Sequence, residues 1–170
     1  MVRLRPLELH DAPAIYQAVD VSRDALRRWM PWYRDDYVLE DAAAWIQYAL
    51  ATAAAGRGFH FAIIGPDGAL VGLISLEDVQ QSSGRAMVGY WLATPATGRG
   101  LGRQALAAII QLARGRLDIT TLWAVVADAN VPSRRILEVN GFHETDSRGR
   151  DERGDLALIY ELDVRARSDG

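Results

Sequence analysis

The stretch from Gly89 to Arg103, GYWLATPATGRGLGR, constrains this chain more than any other. Residues up to Leu92 read as the end of a strand. From Gly100 to Arg114 the pattern is that of a helix, with an apolar stripe at Leu101, Leu106, Ile109, Ile110 and Ala113. Three glycines, Gly98, Gly100 and Gly102, therefore sit where a strand turns into a helix. Amides at a helix start lack intrahelical partners, and the helix dipole adds partial positive charge there. Glycine removes the side chains that would keep an anion from those amides. Arg99 and Arg103 add full charges able to flank phosphates. The chemistry points to a bound anion, a diphosphate best of all. The competing reading is a glycine turn that serves only close packing. A phosphate loop of the NTPase type requires Gly-Lys-Ser/Thr, and no lysine follows these glycines. A dinucleotide fingerprint belongs in the first βαβ unit, with an acid about 20 residues further on. Here the motif comes late, and no acid is clearly placed on a following strand.

The rest of the chain supplies the frame for that turn. Val2 to Leu7 alternates apolar and charged residues, as a half-buried strand does. Asp11 opens a helical stretch with Pro13 in its first turn and Ile15 and Val19 on its inner face. Ser22 is placed to cap a short helix through Leu26 and Trp29, stopped by Pro31. A stronger helix spans Leu39 to Ala55, with Glu40 and Asp41 at its positive end and Gly56 as its stop. Phe59 to Ile64 and Leu70 to Leu76, joined by the GPDG turn, form a meander with Ala86 to Leu92. Thr120 to Ala127 is a continuous apolar run, the pattern of a strand buried on both faces. Pro132 opens a helix carrying Ile136 and Leu137 and ending at Asn140-Gly141. Leu156 to Leu162 reads as the last strand, the arginine-rich SRGRDERG before it as an exposed loop, and 163–170 as a polar tail. The order β, helices, βββ, α, β, α, β implies an α+β fold with a parallel crossover in a mixed sheet. Without repeats or linkers, residues 1–170 are expected to form one domain.

Composition narrows the function classes. A formal charge of −3 gives no basic field to gather nucleic acid or anionic membrane. The absence of cysteine excludes disulfides, thiolate metal sites and cysteine nucleophiles. Three histidines, His10, His60 and His143, give no reason to expect a metal. No apolar run approaches the roughly 20 residues that span a bilayer. The mixed, charged N-terminus is unlike a signal peptide, so a cytoplasmic location is expected.

The turn Thr97-Gly98-Arg99-Gly100-Leu101-Gly102 resembles the Gln/Arg-x-x-Gly-x-Gly/Ala motif of the GNAT superfamily of N-acetyltransferases. Within it, Gly89-Tyr90-Trp91-Leu92 and Pro95 resemble the branch of Rim-type ribosomal-protein N-acetyltransferases. Asn130-Val131-Pro132-Ser133, followed by Leu137, Glu138, Gly141 and Phe142, resembles that branch's Asn-x-x-Ser and Leu-Glu-x-x-Gly-Phe. More loosely, Leu26 to Trp32 is similar to a segment near the acceptor groove. The chain departs from the pattern at Thr97, where glutamine or arginine is usual, and at Met87, where several relatives carry a glutamate. A third departure is Leu137, where many have a tyrosine.

The resemblance implies a mostly antiparallel sheet splayed between its fourth and fifth strands, and acetyl-coenzyme A as co-substrate without a metal. The acetyl group would pass to a primary amine by direct attack in a ternary complex, and the lack of cysteine fits this. The backbone of Trp91, Leu92 and Ala93 would pair with the pantetheine arm. Gly98, Arg99, Gly100, Leu101, Gly102 and Arg103 would grip the diphosphate. Asn130 would hold the arm, or else only shape the helix entry. Ser133 is either a proton source for the leaving thiolate or a first-turn hydroxyl. Arg134 or Arg135 would face the phosphates, or the two form a solvated pair. Glu77 and Glu152 are the candidate bases, each equally readable as a surface carboxylate. Trp29, Trp32 and Tyr33, with Tyr37, either line the acceptor groove or pack the core. The acceptor would be a protein or peptide N-terminus. The alternatives are a small amine such as a polyamine, amino acid or aminoglycoside, or a non-catalytic acyl-coenzyme A sensor. A homodimer is compatible with the resemblance, though no sequence feature demands one.

Overall fold

The computed structural model describes residues 1–151 and 154–165. Strand β1 (Arg3–Pro6) leads through a 3-10 turn into helices α1 (Ala12–Asp20), α2 (Arg23–Trp29) and α3 (Leu39–Ala54). The meander β2 (Phe59–Ile64), β3 (Leu70–Gln80) and β4 (Arg85–Leu92) follows. Then come α4 (Leu101–Arg116), β5 (Thr121–Ala127), α5 (Val131–Val139), β6 (His143–Arg150) and β7 (Leu156–Asp163). The strands form one seven-stranded sheet in the order β1-β2-β3-β4-β5-β7-β6. Every neighbouring pair is antiparallel except β4–β5. The α+β class and the mixed sheet expected from the sequence are observed.

Side-chain alternation assigns the two faces. Ile63, Ile74, Leu76, Val88, Leu122, Ala124 and Tyr160 point toward α4 and α5, where Leu106 and Ile109 meet them. Ala62, Ile64, Leu73 and Trp91 point the other way, into a second core with Ile15, Val19 and Ile46 of α1 and α3. Leu76, Leu106 and Ile109 are fully excluded from water, each contributing about 1.5–3 kcal/mol.

Four expectations need correction. β5 is buried on one face only: Leu122, Ala124 and Val126 are buried, whereas Val125 is 45% exposed, because no helix covers that side of the strand pair. His143–Arg150 is a strand, although Ser147–Arg150 reads as loop and HETDSRGR shows no apolar alternation. An edge strand needs only backbone pairing to one neighbour, here β7, and its charges guard the exposed edge. The tail begins later than residue 163. Asp163 ends β7, and Val164 is buried with its N–H on the Thr120 carbonyl. Ser22 precedes α2 but makes no side-chain cap. Its hydroxyl donates to the Ala18 carbonyl and accepts the Thr94 N–H at 2.8 Å, tying the α1–α2 junction to the loop after β4.

Candidate functional site

The decisive geometry is at β4. Along β3 it pairs continuously from Gly72↔Leu92 to Glu77↔Met87. Along β5 it pairs only at Arg85↔Thr121, Ala86↔Leu122 and Met87↔Trp123. Beyond Met87 the two strands diverge, while β5 stays fully paired to β7. The Ala93 N–H donates to the Val71 carbonyl. Alternation along an antiparallel ladder then turns the main-chain groups of Trp91 toward β3, and those of Leu92 and Tyr90 into the open seam. Of the three backbone positions expected to meet an extended ligand, Leu92 faces it.

The glycine turn lies at the end of that seam. Gly98 and Gly100 have φ of +73° and +74°, and a Cβ on either would meet nothing within 4 Å. Here glycine serves conformation and leaves the turn open. Gly102 differs: a Cβ there would come within 3.0 Å of Ile136 Cδ1 and 3.4 Å of Leu92 Cδ1. The packing reading applies to that glycine. Gly100 is the N-cap of α4 and supplies no capping side chain, so the first amides of a 16-residue helix point outward. Arg99 and Arg103 are exposed beside them. The Thr97 hydroxyl donates to the Thr94 carbonyl.

On the α4–α5 side of the seam stands the start of α5. Asn130 Oδ1 accepts the Ser133 N–H at 3.3 Å, which makes it a helix cap. The Tyr90 hydroxyl reaches across from β4, 3.0 Å from Ser133 Oγ and 3.2 Å from the Ser133 carbonyl. Burial pushes the Tyr90 phenol up to about 12, against the pull of its bond to Ser133. Sequence reasoning passed over Tyr90, because a tyrosine inside an apolar strand gives no local sign of its distant partner. Arg134 is held by Asp128 at 3.0 Å and by the Tyr160 hydroxyl at 3.3 Å. Its guanidinium braces α5 against the sheet, and Arg135 is the exposed member of the pair.

On the opposite side, Met87, Gly89 and Trp91 share the α1–α3 face with their β3 partners Glu77, Ser75 and Leu73. A Cβ at Gly89 would meet only Ser75 Oγ, at 3.7 Å. The sheet therefore has a gap there, with Glu77 at its rim. Ser75 Oγ donates to Glu77 Oε1 at 2.7 Å. The bulge between Glu77 and Gln80, with Asp78 at φ +46°, turns the strand beside this carboxylate. Glu152 lies outside the described residues. Trp32 is 44% exposed, its ring tilted 54° against that of Trp91 with centroids 5.9 Å apart. Tyr33 and Tyr37 are buried, and Trp29 is half-buried under the Arg28 guanidinium. Trp32 is the most exposed of these four aromatics, and its ring also touches Tyr33 and Tyr37.

On the same face, but at the other end of β4 where it is still paired to β5, lies a groove of about 420 Å³, lined by Gln80, Arg85, Trp123, Thr145, Ser147, Ile159 and Glu161. Five strands contribute to it, which is why no sequence window announces it. Among the described residues, no group of three or more His, Asp or Glu could hold a metal ion, and no helix is long and apolar enough to cross a membrane.

Comparison with known proteins agrees with this geometry. The Bacillus subtilis protein named "Putative ribosomal N-acetyltransferase YdaF" is 29% identical over 155 residues, covering 88% of this chain and 81% of that one. The structure of Mycobacterium smegmatis RimJ in complex with a coenzyme A disulfide has a TM-score of 0.86 at 25% identity, covering 96% of this chain and 82% of that one. RimL, a ribosomal L7/L12 α-N-protein acetyltransferase solved with coenzyme A, has a TM-score of 0.89 at 20% identity, covering 98% and 96%, a likeness of fold. The model of the acetyltransferase (GNAT) domain matches residues 2–143, and the chain belongs to that family.

Proposed function

We propose that this acetyltransferase transfers the acetyl group of acetyl-coenzyme A directly to the N-terminal amine of a protein or peptide. The observation that carries the reading is the seam: a strand edge left unpaired from Val88 to Leu92, with an open glycine turn at its end. Those features fit a ligand with an amide-bearing arm and a diphosphate. That RimJ, at 25% identity, is a coenzyme A complex supports the same ligand. The co-substrate supplies an activated thioester. Gly98 to Arg103 would hold its phosphates, and Leu92 would pair with its arm. Glu77, hydrogen-bonded by Ser75 at the rim of the Gly89 gap, would accept a proton from an incoming ammonium. Ser133, in contact with the Tyr90 hydroxyl at the start of α5, would lie near the departing sulfur. The name of the Bacillus relative points to ribosomal protein acceptors.

Because the chain has no cysteine, a free-thiol assay reads turnover without background. Peptides beginning with serine or alanine should release thiol from acetyl-coenzyme A, and the same peptides already N-acetylated should not. Release with spermine or an aminoglycoside alone would overturn the acceptor. Coenzyme binding without release for any amine would overturn the catalytic reading.

A further inference from the structure

Tyr90 and Ser133 meet across the seam, though 43 residues separate them in the chain. The contact has an unusual property: both acceptors within reach of the single Tyr90 hydroxyl proton belong to Ser133. One is its carbonyl at 3.2 Å and the other its Oγ at 3.0 Å. If the phenol donates to the carbonyl, the Ser133 hydroxyl donates back to Tyr90 Oη. If it donates to Oγ, the Ser133 proton is turned outward into the seam. Rotation of the two hydroxyls, about the C–O bonds of Tyr90 and Ser133, separates the two states. The ring itself packs, partly buried, against the core cluster on the α4–α5 face of the sheet.

We propose that Tyr90 is a positioning residue for the transfer reaction: by donating to Ser133 Oγ it aims the Ser133 hydroxyl at the departing sulfur of the co-substrate. This inference rests on the coenzyme-dependent transfer proposed above. As the C–N bond forms and the C–S bond breaks, the bonding pair leaves on sulfur, and the ammonium proton passes to the base. The Ser133 O–H donates a hydrogen bond to that thiolate without giving up its proton. Tyr90 also stays protonated, since its buried phenol titrates far above neutrality, and it remains a donor throughout. The chain thereby stabilises leaving-group charge without a proton on the scale of a tyrosine acid, at a site where Leu137 offers no hydroxyl.

Tyr90→Phe keeps the ring and removes only the O–H. With acetyl-coenzyme A and a serine-initiated peptide, its kcat should fall about tenfold, with KM for acetyl-coenzyme A changed less than about twofold. Ser133→Ala should lose at least as much, and the double variant no more than Ser133→Ala alone, because the tyrosine acts through the serine. A second readout needs no turnover. The ultraviolet absorbance of the thiolate gives the pKa of coenzyme A bound to the free protein, and this should rise in both single variants. A tyrosine that only braced α5 would leave it unmoved. Unchanged kcat and unchanged thiol pKa in a folded Tyr90→Phe protein would overturn the proposal while leaving the transfer reading intact, as would losses that multiply in the double variant. A wild type that binds coenzyme A but acetylates no amine would overturn both.

Discussion

The two edges of β4 have the same residues behind them and opposite fates. Toward β3 its backbone is paired up to Leu92, and the Ala93 N–H continues the ladder onto Val71. Toward β5 pairing stops at Met87, leaving main-chain donors and acceptors with no strand to satisfy them. Unpaired groups inside a sheet are costly, and proteins normally cover or blunt them. Their persistence between two well-packed cores marks the seam as a place reserved for something that pairs like a strand. One edge of β4 builds the fold and the other offers a site.

Proline substitution tests that division most severely. Trp91→Pro removes a donor from the closed edge and a buried indole with it, and should cost at least about 3 kcal/mol in urea unfolding. Leu92→Pro, one residue on, removes a donor that faces the seam. It should unfold near the Leu92→Ala control yet bind coenzyme A far more weakly. Equal destabilisation at both positions would erase the distinction between the edges.

A smaller effect is expected where the open edge meets the turn. Gly100→Asp introduces a negative charge at the start of α4, in a space that a Cβ finds empty. Calorimetry should show coenzyme A affinity reduced at least tenfold, which is about 1.4 kcal/mol. A folded variant with wild-type affinity would move the phosphates elsewhere. Aspartate at φ +74° also adds backbone strain, so the melting temperature should drop modestly alongside.

The smallest effect belongs to the closed side. His60 on β2 lies under α3, with Nε2 3.2 Å from Thr52 Oγ1 and Nδ1 buried without a partner among the described residues. Burial holds its pKa below the usual histidine value, against the opposing charge of Glu77. The unfolded chain therefore binds more protons than the folded one below about pH 6.5, and stability falls as pH drops through that window. Urea unfolding at pH 5.5 and 7.5 should show this slope, and His60→Gln should flatten it. An unchanged slope would mean that water reaches this side of β3.

Much of the fold was legible locally. Periodicity located every helix to within a few residues, and the GPDG turn does join β2 to β3, with the Gly65 N–H on the Ala69 carbonyl. β6 escaped notice because an exposed edge strand carries no hydrophobic signal. The site was legible in part. Glycine at 98 and 100 announced a special turn, but the distinct packing role of Gly102 depends on Ile136, a residue of another helix. Asn130 and Ser133 were visible as a pair, whereas Tyr90 was not. Tyr33 and Tyr37 belong to the core, a choice between two readings that composition could not make.

By itself the sequence determined the glycine turn between β4 and α4 and every element but β6, because these depend on residues within a turn or two of each other, and its composition settled the absence of any thiol. Tertiary structure alone decided where β4 and β5 part, which main-chain groups enter the gap, and which hydroxyls meet across it. Those outcomes depend on strand register and helix placement, set by packing between residues tens of positions apart.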